Sequence, residues 1–323
     1  SQIKTMCYAT STDGIHWKKP NVGQFAFQGS KANNIVMASS REQLRSLPTL
    51  FTYGAIKTPW DPDRSRLYKT CFYERPPGVA YMSGRDGVWS ATSPDGIRWN
   101  KGKLLVMPAM GDTVGFFYDS IHKRYVCFGK RYTDRGRSRF QSESNDFVHW
   151  TKPRLILKTD HQDDQPCDLY NNTAFVWGEL LLGWLQVFYQ HEDPDKHRLV
   201  LELIYSRDGL NWKRMPGRKP VLDVGPNGSW DRTNQSPAIG TPIVVGERMY
   251  MYYSGDTRYH GPYKGGDLGE VHGQIGLGTL RLDGFVSMDA TPRGGVLTTR
   301  LLQLDTVAEL DAAIRLVVNV KSD

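Results

Sequence analysis

A chain of 323 residues with 11% aromatics, 32 glycines and 18 prolines suits many short strands joined by turns. Its net charge of +7 comes from basic residues interleaved with acids, so no concentrated basic face, and no nucleic-acid partner, is expected. No stretch of 18 apolar residues occurs, so no membrane-spanning helix is expected, and the four cysteines lack the paired spacing of a zinc site.

The first legible element is Cys7-Tyr-Ala-Thr-Ser11-Thr-Asp13-Gly14-Ile-His-Trp17. A short run of strand formers and small residues ends in Ser-x-Asp-Gly, a turn in which glycine supplies a positive φ. A tryptophan follows on the next short strand. The phrase returns at Ala91–Trp99 and Ile204–Trp212, and at Gln141–Trp150 with Phe147 in the glycine's place. A weaker copy without the tryptophan spans Gly278–Ser287. An irregular repeat of this size marks a propeller or related repeat architecture. Each copy reads as the outer hairpin of a blade. Trp17, Trp99, Trp150 and Trp212 read as filling between blades, in preference to stacking on sugars.

The intervening segments supply inner strands. Asn21–Val36 reads as a connecting loop. Thr49–Tyr53 and Arg66–Tyr73 read as an inner pair completed by Val88–Trp99. Asp112–Tyr118 and Arg124–Arg131 form the next pair, then Asp168–Trp177 and Leu180–Tyr189, then Pro237–Val245 and Arg248–Ser254. The expected fold is all-β: a five-bladed β-propeller of four-stranded antiparallel blades over residues 1–290. A ring-closing tail or the start of a β-sandwich follows over 291–323, with Thr306–Leu316 the best helical candidate. Residue 1 falls directly before an outer hairpin. The first blade is therefore expected to lack its inner strands, and the chain to be a fragment of a longer protein. Cys7, Cys71 and Cys127 sit in strand-like runs and are expected to be buried.

Four-stranded blades impose a direction. The turns of the repeat lie at one face, and the inner strands start at the other. That second face collects Asp112, Asp168 and Asp231 from three different blades. Carboxylates pooled at a cavity mouth shift one another's pKa. Acid/base chemistry on a glycosidic bond needs that: one acid protonated and one ionised. Strand ends at the same face add Glu74, Lys130, Arg131, Arg137, Arg139, Gln190 and His191. The long, Gly-rich loop Asp256–His272 adds Arg258, His260, Glu270 and His272. Arg131 and Arg258 carry the planar guanidinium that clamps a carboxylate. Asn33, Asn34, Asn171, Asn172 and Gln235 are amides suited to sugar hydroxyls. The histidines lack paired i, i+4 spacing, and there is no EF-hand or Gly-rich phosphate loop, so no metal and no cofactor is expected.

Several of these features carry a family resemblance. They are Ser-x-Asp-Gly-x-x-Trp, inner strands opening at Gly111-Asp112-Thr113, Asp168-Leu-Tyr170 and Ser229-Trp-Asp231, and Leu282-Asp-Gly-Phe-Val-Ser287. They resemble the five-bladed propeller glycosidases of the glycoside hydrolase family 32/43/68-like superfamily. Those enzymes use three acids from separate blades. The resemblance implies such roles for Asp112 and Asp168, with Asp231 as a further candidate. The Trp-Met-Asn-Asp-Pro, Arg-Asp-Pro and Glu-Cys motifs of those families are absent. The proton donor is unassigned among Glu74, Glu143 and Glu270.

The expected function is hydrolysis of glycosidic bonds in an oligo- or polysaccharide. Asp112, Asp168, Asp231 and Glu270 are the catalytic candidates. Asn34, Glu74, Arg131, Asn171, His191, Arg258, His260 and His272 are the carbohydrate-binding candidates. A phosphorylase with a phosphate site near Arg131, Arg139 and His260 is one alternative. A non-catalytic carbohydrate-binding propeller is the other.

Overall fold

The structure is a computed structural model. It describes residues 5–38, 49–52, 54–76, 78–163, 167–191, 193, 196–237, 240–257, 260, 273–289 and 293–298. The chain divides into two compact units, Ser1–Phe285 and Val286–Asp323. In the second unit the described residues form no strand or helix. The helical candidate 306–316 lies outside the described residues.

The first unit is all-β, with antiparallel pairing almost throughout and a 3-10 turn at Arg64–Arg66. β1 (Met6–Cys7) pairs with β2 (Ile35–Met37). β3 (Thr49–Thr52) and β4 (Ile56–Lys57) both pair with β5 (Tyr68–Arg75), which continues to β6 (Gly87–Ser93) and β7 (Asn100–Pro108). A four-stranded meander follows: β8 (Gly115–Asp119), β9 (Arg124–Thr133), β10 (Gly136–Ser144) and β11 (Arg154–Leu157). β12 (Cys167–Asn172) and β13 (Phe175–Trp177) pair with β14 (Leu180–Tyr189), itself paired with β15 (Arg198–Ser206), which carries β16 (Lys213–Arg214) and β17 (Pro220–Leu222). The last group is β18 (Asn234–Pro237), β19 (Ile243–Val245), β20 (Arg248–Asp256) and β21 (Gln274–Arg281). One parallel bridge, Leu199 to Asn234, joins it to the group before, where the sequence suggests separate sheets.

The core lies between successive sheets. One cluster joins Val126 and Phe128 of β9 to Leu169, Leu185 and Val200 of the following sheet. Another joins Cys71 and Val88 to Phe116, Tyr125 and Cys127. Middle strands are therefore covered on both faces, and β14 is buried at all but its end residues. All four cysteines are free; Cys71, Cys127 and Cys167 are buried, whereas Cys7 on the short β1 is exposed, against expectation.

The repeat has one hydrogen-bonding plan. In the first copy the Ser11 hydroxyl accepts the Gly14 N–H at 2.8 Å, and Asp13 Oδ1 accepts the N–H groups of Ile15 and His16, each at 2.8 Å. Ser93 and Asp95, Ser144 and Asp146, and Ser206 and Asp208 repeat the same bonds. The residue after the aspartate takes a left-handed φ in each: +74° at Gly14, +77° at Gly96, +64° at Phe147 and +65° at Gly209. Phe147 bears that conformation because its ring packs in the core against Phe116, Tyr125 and Trp150. Trp99, Trp150 and Trp212 pack against the apolar clusters, and Trp212 donates its indole N–H to Gln141 of the neighbouring sheet at 2.8 Å. The weak fifth copy differs. There Asp283 itself has φ +59°, and its carboxylate accepts the Trp177 indole N–H at 2.7 Å.

Candidate active site

Asp112 lies on the approach to β8 and Asp168 is the second residue of β12. The end of β9, the start of β10 and the end of β14 bring basic and amide groups to them.

Asp112 is held from two directions. Lys130 of β9 donates its ammonium to Oδ1 at 2.7 Å, and the Tyr81 hydroxyl donates to the same oxygen at 3.2 Å. Among the described residues, no hydrogen bond falls on Oδ2. Burial works to raise this carboxyl, but the Lys130 charge and the two hydrogen bonds outweigh it and hold it below the ordinary carboxylate range. Lys130 is itself buried, with its ammonium 3.8 Å from the centre of the Tyr170 ring. Burial pushes that ammonium down to about 8, an effect Asp112 only partly offsets.

Asp168 is saturated. Oδ1 accepts the backbone N–H of Arg137 at 2.7 Å, while Oδ2 accepts the Arg137 guanidinium at 2.7 Å and the Gln190 amide. Gly136 makes this approach possible. Its φ is +82°, and a Cβ there would stand 2.6 Å from Asp168 Oδ1. Burial disfavours the Arg137 charge, but Asp168 more than compensates and raises its pKa.

Tyr170 links the two carboxylates. Its ring faces Lys130, lies 5.3 Å from the Arg137 guanidinium and meets the His260 ring edge-on at 4.6 Å. His260 is pushed down to about 4 by burial and by the Lys130 and Arg137 charges. It is neutral at physiological pH.

The remaining candidates are placed elsewhere or hold structural partners. Asp231 is bonded by Ser229 at 2.7 Å and Tyr253 at 3.1 Å, a set that shares no residue with Asp112 or Asp168. Glu74 pairs with Lys101 at 2.6 Å. Asn34 ties to the Tyr8 carbonyl at 2.7 Å. Arg131 is exposed while its neighbour Lys130 is buried, because β9 leaves the buried core after Lys130. Asn171 is buried, with its side-chain oxygen accepting the Asn172 N–H. The His191 ring accepts the Asp193 N–H at 2.9 Å, and its backbone carbonyl meets His197 Nδ1 at 3.1 Å, while His197 Nε2 meets the His260 carbonyl at 3.0 Å. Arg139, fully buried, bonds Asn172, Thr113 and the Tyr170 carbonyl. Arg258, Glu270 and His272 lie outside the described residues. Among the described residues no three His, Cys, Asp or Glu side chains converge as a metal-binding group.

Tyr81 and Tyr170 escaped the sequence reading. Tyr170 stands two residues after Asp168 on β12, where the strand register shifts between Leu169 and Asn171. Tyr81 carries no comparable signal.

No known family profile matches the chain. One curated enzyme, the A type blood N-acetyl-alpha-D-galactosamine deacetylase of Flavonifractor plautii, is 27% identical over 123 residues. That match spans 35% of this chain and 16% of the enzyme's length. The crystal structure of an N-acetylgalactosamine deacetylase from F. plautii, in complex with blood group B trisaccharide, is similar in fold. Its TM-score is 0.52 at 16% identity, over 84% of this chain and 80% of that one. The fold resembles that of a carbohydrate-active enzyme. Other solved neighbours include a glycosyl hydrolase from Bacteroides ovatus (TM-score 0.47, 13% identity, 73% and 67% covered). A thermostable family-43 glycoside hydrolase also appears (TM-score 0.46, 10% identity, 77% and 78% covered). Those two likenesses are too slight to carry an argument about this chain.

Proposed function

We propose that this chain is a carbohydrate-active enzyme that hydrolyses glycosidic bonds in an oligo- or polysaccharide, with Asp112 at its centre. The observation that carries this reading is the contrast between two neighbouring carboxylates. Asp112 is kept ionised with one oxygen uncommitted among the described residues, so it can accept a proton from water or attack a sugar carbon. Asp168 has both oxygens filled and acts as a positioning residue, fixing Arg137 and Gln190 beside Tyr170. Glu74 and Glu143 are held in ion pairs with Lys101 and with Arg124 and Arg154. Glu270 is therefore the proton donor in this proposal. Asp231 stands as a third acid at a separate point. We further propose that residues 1–290 form five blades of a propeller and that 291–323 close the ring or begin a β-sandwich. The shared turn geometry supports the repeat, and the Tyr252 hydroxyl of β20, bonded to the Gly14 carbonyl at 2.6 Å, supports closure.

The identity with a deacetylase over 123 residues favours one second reading, removal of an N-acetyl group from an amino sugar. Both readings are tested by incubating the protein with neutral and N-acetylated oligosaccharides, blood-group A and B trisaccharides included. Products are identified by mass and released acetate is assayed. Shorter glycans that vanish with Asp112→Asn support hydrolysis. Acetate without chain cleavage supports the second reading and overturns the first. Full activity in Asp112→Asn removes Asp112 from either.

A further inference from the structure

A cavity of about 880 Å³ opens beside Asp168, between the β9–β10 hairpin and the loop after β11. Asp168, Arg137 and Gln190 line it and also belong to the candidate active site; Asp112 does not line it. We propose that this cavity is a subsite for a further, uncharged sugar unit. The proposal rests on the reading above and narrows its substrate class to neutral oligosaccharides.

Size and shape support occupancy. The volume falls within the range of small-molecule sites, roughly 300–1,000 Å³. Tyr132 supplies an aromatic surface 52% exposed to solvent, and the Arg137 guanidinium lies 5.4 Å from its ring centre. Such a ring offers apolar contact to the C–H face of a sugar while leaving hydroxyls free.

Charge selects the class. Asp134, Asp160, Asp163 and Asp168 all line the cavity, against only Arg135 and Arg137 as permanent cations. Three of the acids are tied into close pairs, Asp168 with Arg137, Asp160 with Arg218, and Asp163 with both Arg214 and Arg218, while the exposed Asp134 lies 3.9 Å from Lys158. Arg214 also grips both oxygens of Glu202 at 2.8 Å each, so this wall is fixed before any ligand arrives. A hydroxyl donates and accepts at once, and so matches a carboxylate–guanidinium pair. A carboxylated, sulfated or phosphorylated unit would face four carboxylates, and of the two lining arginines Arg137 is already engaged by Asp168. The same argument runs against a phosphate co-substrate in this cavity.

The test is calorimetric titration of the Asp112→Asn protein, whose turnover under the reading above is slowed enough to measure binding. The probes are neutral gluco-, xylo- and galacto-oligosaccharides of one to four units, with galacturonate oligomers of the same lengths. The expected result is at least tenfold tighter binding of a neutral trimer than of its monomer. Galacturonates should bind more weakly than their neutral counterparts. Tyr132→Ala flattens the length dependence, and Tyr132→Phe, which keeps the ring, preserves it. Binding independent of length, unchanged length dependence in Tyr132→Ala, or preference for galacturonates overturns the subsite and leaves the proposed function standing. Failure of every probe to bind overturns both.

Discussion

Replacing Lys130 with methionine tests the electrostatics of the candidate site. Lys130 is 1% exposed, and its ammonium pairs with a carboxylate whose side chain is 28% exposed. Methionine keeps much of the volume and removes the charge, leaving Asp112, among the described residues, with the Tyr81 hydroxyl. Removing one partner of a buried pair costs about 3–5 kcal/mol, and partial exposure of Asp112 puts the expectation at ~2–3 kcal/mol. The pH dependence isolates the ammonium. Its folded pKa is depressed to about 8 from an unfolded value of 10.5. Between those values the unfolded chain holds the proton and the folded chain does not, so wild-type stability rises with pH across that window. The rise amounts to ~3 kcal/mol at most, at 1.36 kcal/mol per unit. Other lysines and tyrosines titrate there too, but they cancel in the difference between wild type and Lys130→Met. Urea denaturation of both proteins from pH 7.5 to 10.5 gives that difference. Parallel curves would refute the burial of this ammonium and with it the account of Asp112.

Three further outcomes are expected. Asp112→Asn lowers turnover of any hydrolysed glycan by a factor of about 100 to 10,000, the scale of general acid–base catalysis, measured as initial rates with folding checked by circular dichroism. Gly136→Ala forces a left-handed φ on a residue with a Cβ aimed at Asp168 Oδ1, so thermal unfolding shows a loss of ~1–3 kcal/mol, more than for Gly178→Ala, where nothing stands within 4 Å. Phe147→Gly relieves about 1–2 kcal/mol of left-handed strain but deletes a buried ring worth about 3–5 kcal/mol, so the net effect in a denaturant titration is destabilising.

The repeat was legible because its geometry depends on residue type. A serine hydroxyl and an aspartate carboxylate cap the turn, and the next residue needs a left-handed φ, so Ser-x-Asp-Gly survives as a string. Where packing supplies the reason, the string changes, as at Phe147. The positions of Asp112, just before β8, and of Asp168, at the start of β12, were also legible. Lys130, Arg137 and Gln190 were legible as strand-end groups at the same face, but not which acid each would hold, and Tyr81 was not legible at all. Tyr81, Arg137 and Gln190 reach the acids across 22 to 31 residues, a pairing no local pattern fixes. Arg131 was preferred to Lys130 for a related reason. Strands covered on both faces lose the alternation of polar and apolar residues that would show which side chain turns inward.

The hydroxyl that Tyr252 gives to the Gly14 carbonyl spans 238 residues of chain. Closing a loop of that length in a disordered chain costs about 5 kcal/mol, far more than one hydrogen bond and the edge-on contact of Trp17 with Tyr252 return. The contact forms only once the sheets between have assembled and brought the two strands within reach. It therefore acts as a clasp, expected to close late in folding and to part early under stress. Hydrogen exchange at Gly14–Trp17 would report on that opening before any change in the buried strands around Val126 and Leu185.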